Sequence, residues 1–174
     1  MRGKRLLKPD STLTALISYS DRANAYLLEA ALPLSDDQLD LGFEMGRGSL
    51  RRTLIHILAG EAVWLRRMQG DVETPWLDES RLQSVREITN ELQTVAGART
   101  TFLQRCTDAD FERQMSYRDS RGGLFHTTLQ EMLTQMCVHS IHHRAQAVNM
   151  LRRLGAKPPE VDYMVMVRRP AARG

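Results

Sequence analysis

The sequence predicts an all-α fold: a four-helix bundle with a short irregular, β-like turn before the last helix. Three observations carry this. Four stretches repeat apolar residues every three or four positions, which puts them on one helical face. Clusters of Gly, Pro, Ser, Thr and Asp fall where such stretches start and stop. Aromatic residues make up only 6% of the 174, while there are nine Met, a composition that leans away from a β-sandwich. A chain of this length can bury a full core without staples, and it reads as one domain over 1–174.

The first helix is predicted to start after Pro9-Asp10-Ser11, a capping cluster. It carries Leu13, Leu16, Ile17, Ala23, Tyr26 and Leu27 and stops near Pro33. The segment LSDDQLDLGFEMGRG then connects, with Gly42, Gly46 and Gly48 as breakers. Ser49 is the N-cap of the second helix, which ends near Gly70 and has a core stripe of Leu50, Leu54, Ile57, Trp64 and Met68. A loop with Pro75 and Trp76 follows. The third helix is predicted from about Ser80 to Cys106, with Leu82, Val85, Ile88, Leu92, Val95, Phe102 and Leu103 as its apolar face. Residues 115–126, MSYRDSRGGLFH, read as two short extended pieces around an Arg121-Gly122-Gly123 turn. The fourth helix opens near Thr127 or Thr128 and runs to Gly155, with Pro158-Pro159 beyond. The tail VDYMVMVRR is expected to lie extended against the bundle.

The formal charge of +3 is unevenly placed. Seven of the 24 Lys and Arg lie at the ends (Arg2, Lys4, Arg5, Lys8, Arg168, Arg169 and Arg173), leaving 17 against 21 acids in the body. The basic character therefore belongs to the two tails, which read as solubilising ends. No basic surface interleaved with aromatics supports nucleic-acid binding. No run approaches the roughly 20 apolar residues of a membrane span, and Leu6-Leu7 is too short an apolar run for a signal peptide. Cys106 and Cys137 form no C-x-x-C and read as small core residues in a reducing compartment. The expected localisation is cytoplasmic.

The five histidines carry the chemistry. His139 and His143 are four apart, so their rings lie one above the other on the fourth helix. Both fall on its apolar stripe of Met132, Met136, Ala147 and Met150, so both should face the bundle interior. His56, on the edge of the second helix's stripe, offers a third ring, with Ala59 and Gly60 leaving space beside it. Two ligands from one helix and one from another is how bundle interiors hold metals. Three neutral rings packed together each need a donor and an acceptor partner. A divalent ion resolves the crowding by taking one lone pair from each at about 2.0–2.1 Å. Imidazole suits Zn, Ni, Cu, Fe and Mn to different degrees, so the ligand set does not identify the metal. His142 flanks the pair, and His126 reads as a structural or exposed residue. Three ligands without a fourth suggest an open position for water or substrate.

Four stretches then resemble the DinB family: GSLRRTLIHILAGEAVWLRRMQG, SYRDSRGG, VHSIHHRAQAVNMLRRLG and PPEVDYMVMVR. The resemblance implies an up-down-down-up bundle with a long crossover, a three-histidine site for a divalent metal, and often a homodimer. It carries the family's second-helix ligand to His56 and its H-x-x-x-H pair to His139 and His143. Ala145 stands where the family has Gly, and Val138 where Asn often precedes the first histidine of the pair. Family members of known activity include metal-dependent thiol transferases and isomerases.

Two expectations follow. The first is an enzyme: a divalent metal (Zn, Ni, Fe or Mn) on His56, His139 and His143 activates a low-molecular-weight thiol or water for attack on a small electrophile. Arg144, Gln146, Tyr117 or Arg118 would orient an anionic substrate near the bundle mouth. The second is a non-catalytic stress-response or interaction protein whose metal only stabilises the bundle.

Overall fold

The computed structural model describes residues 11–78 and 82–170. The N-terminal basic cluster, the cap at Pro9-Asp10, Ser80 and Arg173 lie outside that range. Nine elements follow in order: α1 Ser11–Ala31, α2 Asp36–Asp40, α3 Leu50–Met68, α4 Val85–Leu103, α5 Asp108–Glu112, β1 Gln114–Arg118, β2 Leu124–Thr128, α6 Leu129–Arg153 and α7 Tyr163–Val167.

Four of these are the long helices the sequence predicts, and their contacts give their directions. Thr53 of α3 meets Met150 of α6, and Gly60 lies against His139, so α3 and α6 run antiparallel. Ser20 of α1 meets Arg144 of α6, while Leu13 packs with Leu129 and Leu133, and Leu27 with Ala147 and Leu151, so α1 and α6 run parallel. Arg51 contacts Gln83 just before α4, and Glu61 contacts Arg99, so α3 and α4 are also parallel. The order is up-down-down-up. Consecutive parallel helices need a crossover, which residues 69–84 supply.

Caps explain the boundaries. Ser49 accepts from Arg52 N at the start of α3, as predicted. Thr128 and Glu131 form a capping box at the start of α6, again where the sequence places it. The third long helix starts later than expected, at Val85. Ser84 and Glu87 form its capping box, with the Glu87 carboxylate accepting from the Ser84 amide at 2.8 Å, and this reciprocal pair fixes the first turn. Leu82 is buried but precedes the helix.

Two short helices fall between the predicted ones, α2 in the stretch read as a connector and α5 between the third helix and the hairpin. Ser35 with Gln38 caps α2, and Thr107 with Asp110 caps α5. Arg51 donates to Asp40 at 2.8 Å and to Asp36 at 2.6 Å, tying α2 onto α3. The tail is a further correction: it folds as the single helical turn of α7, not as an extended strand. Asp162 caps it by accepting from Val165 N, and the Tyr19 hydroxyl donates to the Val161 carbonyl at 2.8 Å.

Strands β1 and β2 form the predicted antiparallel hairpin, with Ser116 opposite His126. Asp119 Oδ1 accepts from the Arg121 and Gly123 amides, and Gly122 takes a φ of 82° that favours glycine. Tyr26, predicted as a core residue, is 42% exposed; it lies about 100° round α1 from Leu27, which faces the core. No helix among the described residues is long and apolar enough to cross a membrane.

Candidate metal centre

Antiparallel packing of α3 on α6 brings His56 against the His139/His143 pair. One nitrogen from each of the three rings lies within 4.8 Å of the others. Among the described residues this is the one such convergence of His, Cys, Asp and Glu atoms. Ring centroids are 4.9 Å apart for His56 and His139, 4.4 Å for His56 and His143, and 4.5 Å for His139 and His143. All three rings are half-buried.

The small-residue gap has a definite occupant. A Cβ on Gly60 would stand 2.4 Å from His139 Cε1 and 2.6 Å from its Nδ1. Gly60 therefore cradles the His139 ring, and no larger residue leaves that ring in place.

Hydrogen bonding assigns the nitrogens. Gln146 Oε1 lies 2.8 Å from His143 Nδ1. A carbonyl oxygen there requires the proton on Nδ1 and leaves the Nε2 lone pair free. The same amide turns its Nε2 to His142 Nε2 at 3.0 Å, so His142, which is exposed, reaches the site through Gln146. The Nε2 atoms of His56 and His139 face each other at 3.2 Å, while both Nδ1 atoms are buried without a partner. Two nitrogens bound to one tetrahedral ion at 2.0–2.1 Å sit about 3.3 Å apart. The donor set and its spacing fit a divalent metal.

Electrostatics keep the rings neutral. Burial, then the neighbouring histidines, and for His56 also Arg47, push His56 down to about 3. His139 falls to about 4 for the first two reasons. Burial also lowers His143, against a raising hydrogen bond from Gln146. Neutral imidazole is the form that ligates metal. In the metal-free protein the unfolded rings take up protons near pH 6.5, while folded His139 resists until about pH 4 and His56 until about pH 3. Stability is therefore expected to fall as pH drops from 6.5 towards 4. Urea midpoints measured between pH 7.5 and 4.5 check this, and the slope should be shallower in His56→Ala.

Beneath the rings runs a buried polar network that the sequence reading missed. Glu61 and Arg99 are each 1% exposed and ion-paired, and Arg99 reaches Asp21 with its second nitrogen. Asn24 Nδ2 and the Ser140 hydroxyl donate to Glu61 Oε1 at 2.9 and 3.2 Å. Burial pushes the Glu61 carboxyl up from its ordinary value, against the pull of Arg99. Arg144, expected at the mouth, is instead 1% exposed in this network, donating to Ser20 and Asn24 with its guanidinium 5.2 Å from the Tyr19 ring centroid. Its chain position explains this: Arg144 lies between Ser140 and Ala147 on the inward face of α6.

Arg118 pairs with Glu73 at 2.7 Å on the hairpin's surface. Tyr117 packs edge-on to Trp64 at 5.4 Å. Cys137 is buried, its thiol pushed up to about 11 by desolvation, consistent with an inert core residue. His126 is exposed and shares a 3.0 Å contact with the Ser116 hydroxyl.

The DinB family model matches residues 9–170. The chain belongs to the DinB family. A DinB-like protein of Bacillus cereus ATCC 10987 superposes on this DinB chain with a TM-score of 0.67 and 24% identity, covering 82% of this chain and 91% of the other. YfiT of Bacillus subtilis, described as a probable metal-dependent hydrolase with an unusual four-helix bundle topology, superposes with a TM-score of 0.64 and 23% identity, covering 87% and 92%. At those identities the likeness concerns the fold. YizA of Bacillus subtilis (strain 168), an uncharacterized protein, is 28% identical over 120 residues, 68% of this chain and 72% of the relative.

Proposed function

We propose that this DinB protein is a metal-dependent enzyme that activates a low-molecular-weight thiol or water for attack on a small electrophile, with His56, His139 and His143 as the ligands. The observation that supports it most is the facing pair of His56 and His139 Nε2 atoms at 3.2 Å. A cation between them would take one lone pair from each ring, and His143 Nε2, left bare by the Gln146 bond, offers the third. A divalent ion held by three imidazoles with a coordination place left over lowers the pKa of water or thiol bound there.

The chain's own groups do the rest. Gly60 sets the His139 ring by leaving it room. Gln146 holds the His143 tautomer and, by its second bond, orients His142 at the rim. Arg47 stands near enough to His56 and His143 to disfavour their protonation, and it can attract an anionic thiolate. Trp76 lies against His56, with ring centroids 5.2 Å apart.

Elemental analysis of purified protein beside the His56→Ala and His143→Ala variants is the test, joined to a panel of thiols and hydrolysable esters. Stoichiometric metal is expected in the parent protein and near-complete loss in both variants, with turnover lost in parallel. Unchanged metal content in the variants would point to other ligands and end this reading. Metal without turnover of any panel member would favour a bundle-stabilising ion.

A further inference from the structure

We propose that the cavity between α3, α6 and the hairpin, lined by Trp64, Tyr117, Thr127, Glu131, Met132 and Gln135, is the substrate subsite of the histidine centre, and that it takes an uncharged, planar small molecule. Its role as a substrate subsite rests on the metal-centre reading above. Position comes from the helices. Trp64 lies one turn beyond Gly60 on α3, and Gln135 one turn before His139 on α6. Gly60 and His139 touch, and the two helices are antiparallel, so these two lining residues lie about one helical pitch, about 5.4 Å along the axes, from the Gly60–His139 contact. Its volume of about 410 Å³ falls in the 300–1,000 Å³ range of small-molecule sites.

The lining selects against both signs of charge. Glu131 accepts from the Thr127 hydroxyl at 2.7 Å, the Thr128 amide at 2.8 Å and the Thr128 hydroxyl at 3.0 Å. These donors hold its carboxyl below the usual carboxylate range, so it stays ionised and opposes an anion. Arg67 lies with its guanidinium carbon 4.8 Å from the Trp64 ring centroid and 4.6 Å from that of Tyr117. The Arg67 charge beside both rings opposes a second cation and engages the ring electrons that would draw it, offsetting the pull of Glu131. What remains suits a neutral, flat ligand: indole surface for stacking, Met132 as a soft apolar floor, and a Gln135 amide that both donates and accepts. Tyr117 has Phe125 against it at 5.9 Å and its own ring against Trp64 at 5.4 Å; the stacking platform is the part of the Trp64 indole that lines the cavity and that Tyr117 and Arg67 leave open. A conjugated or aromatic electrophile seated there would reach towards His139 from the end of the cavity bounded by Trp64 and Gln135.

The chain has two Trp, so a Trp76→Phe background leaves Trp64 as its single indole. Fluorescence titration of that protein with 2,4-dinitrotoluene, 2,4-dinitrobenzoate and 2,4-dinitrobenzylammonium tests the assignment without any reaction. Saturable quenching by the neutral probe is expected, at least tenfold tighter than by either ion. Gln135→Phe, an exposed position whose ring fills the cavity, should weaken that binding at least tenfold. Glu131→Gln keeps the capping box and should narrow the gap to the benzoate. His56→Ala should retain quenching even as it loses metal, so failure of the metal reading and failure of the cavity are seen separately. Equal affinity for the three probes, or quenching unaltered by Gln135→Phe, overturns the proposal.

Discussion

Replacing Arg99 with alanine is expected to destabilise the bundle by about 3–5 kcal/mol, the range found when one partner of a buried ion pair is removed. Arg99 bridges three helices: its two terminal nitrogens bind Glu61 on α3 and Asp21 on α1 from a base on α4. Without it the Glu61 carboxyl keeps its Asn24 and Ser140 donors but loses its counter-charge at a site shut off from water. Truncation also leaves a void in a core that packs Met136 against the same guanidinium, with its sulfur 3.8 Å from Arg99 Nη1. Domains of this size hold only about 5–15 kcal/mol in total, so the variant should sit near the edge of folding at 37 °C. Replacing both partners, Glu61→Leu with Arg99→Met, should cost markedly less than Arg99→Ala alone, since no charge is then stranded. Urea denaturation of the three proteins decides it. A double variant no more stable than the single one would mean that the pair is worth keeping for its own attraction.

The same pair marks the boundary of what a reader of the sequence could see. Apolar periodicity and caps give the four helices, because burying one face dominates the energetics of a bundle. The histidine stripe on α6 is legible for the same reason: His139 and His143 interrupt a row of methionines at helical spacing. Arg99 and Glu61 interrupt their stripes in the same way, Arg99 in the gap between Val95 and Phe102, and Glu61 one turn after Ile57. That signal was available, but a lone charge on a stripe has no visible partner until tertiary packing supplies one. Arg144 misleads likewise, because its place beside the histidines suggests the mouth while its helical phase turns it inward. Short elements fail for a different cause. The turns of α2, α5 and α7 are held by one cap each, with too few residues to show a period. The start of α4 was set by the Ser84–Glu87 box, five residues inside the apolar pattern's apparent beginning near Ser80. Three histidines could be counted from the sequence, but the closeness of His56 to the pair depends on Gly60, whose missing side chain decides how near α6 can come.

That dependence makes Gly60→Ala the sharper probe of the centre. Considered as a helix residue alone, the change should add about 0.5–1 kcal/mol of stability, since Gly is the costlier residue in a helix interior. Gly97, mid-way along α4, shows what that looks like: it is exposed and a Cβ there meets nothing within 4 Å. Gly97→Ala should therefore stabilise by about that amount and leave metal binding untouched. At Gly60 the new methyl would stand 2.4 Å from His139 Cε1, far inside any contact distance, and the nearest atoms belong to a ring fixed on a neighbouring helix rather than to a flexible chain end. The ring must swing or the helices must part, and either moves Nε2 away from His56. Metal affinity is expected to fall by about 10–100-fold, the loss seen when the groups that hold a ligating histidine are altered, while the metal-free protein should melt below Gly97→Ala, because moving the ring or the helix costs about 1–3 kcal/mol against the helix gain. Competition titration with a chelator, run on both glycine variants, measures the first effect, and thermal unfolding of the metal-free forms the second. A Gly60→Ala protein that binds metal as tightly as Gly97→Ala would show that the His139 ring is free to leave its cradle, and that the close approach of α3 and α6 does not set the spacing of the three nitrogens.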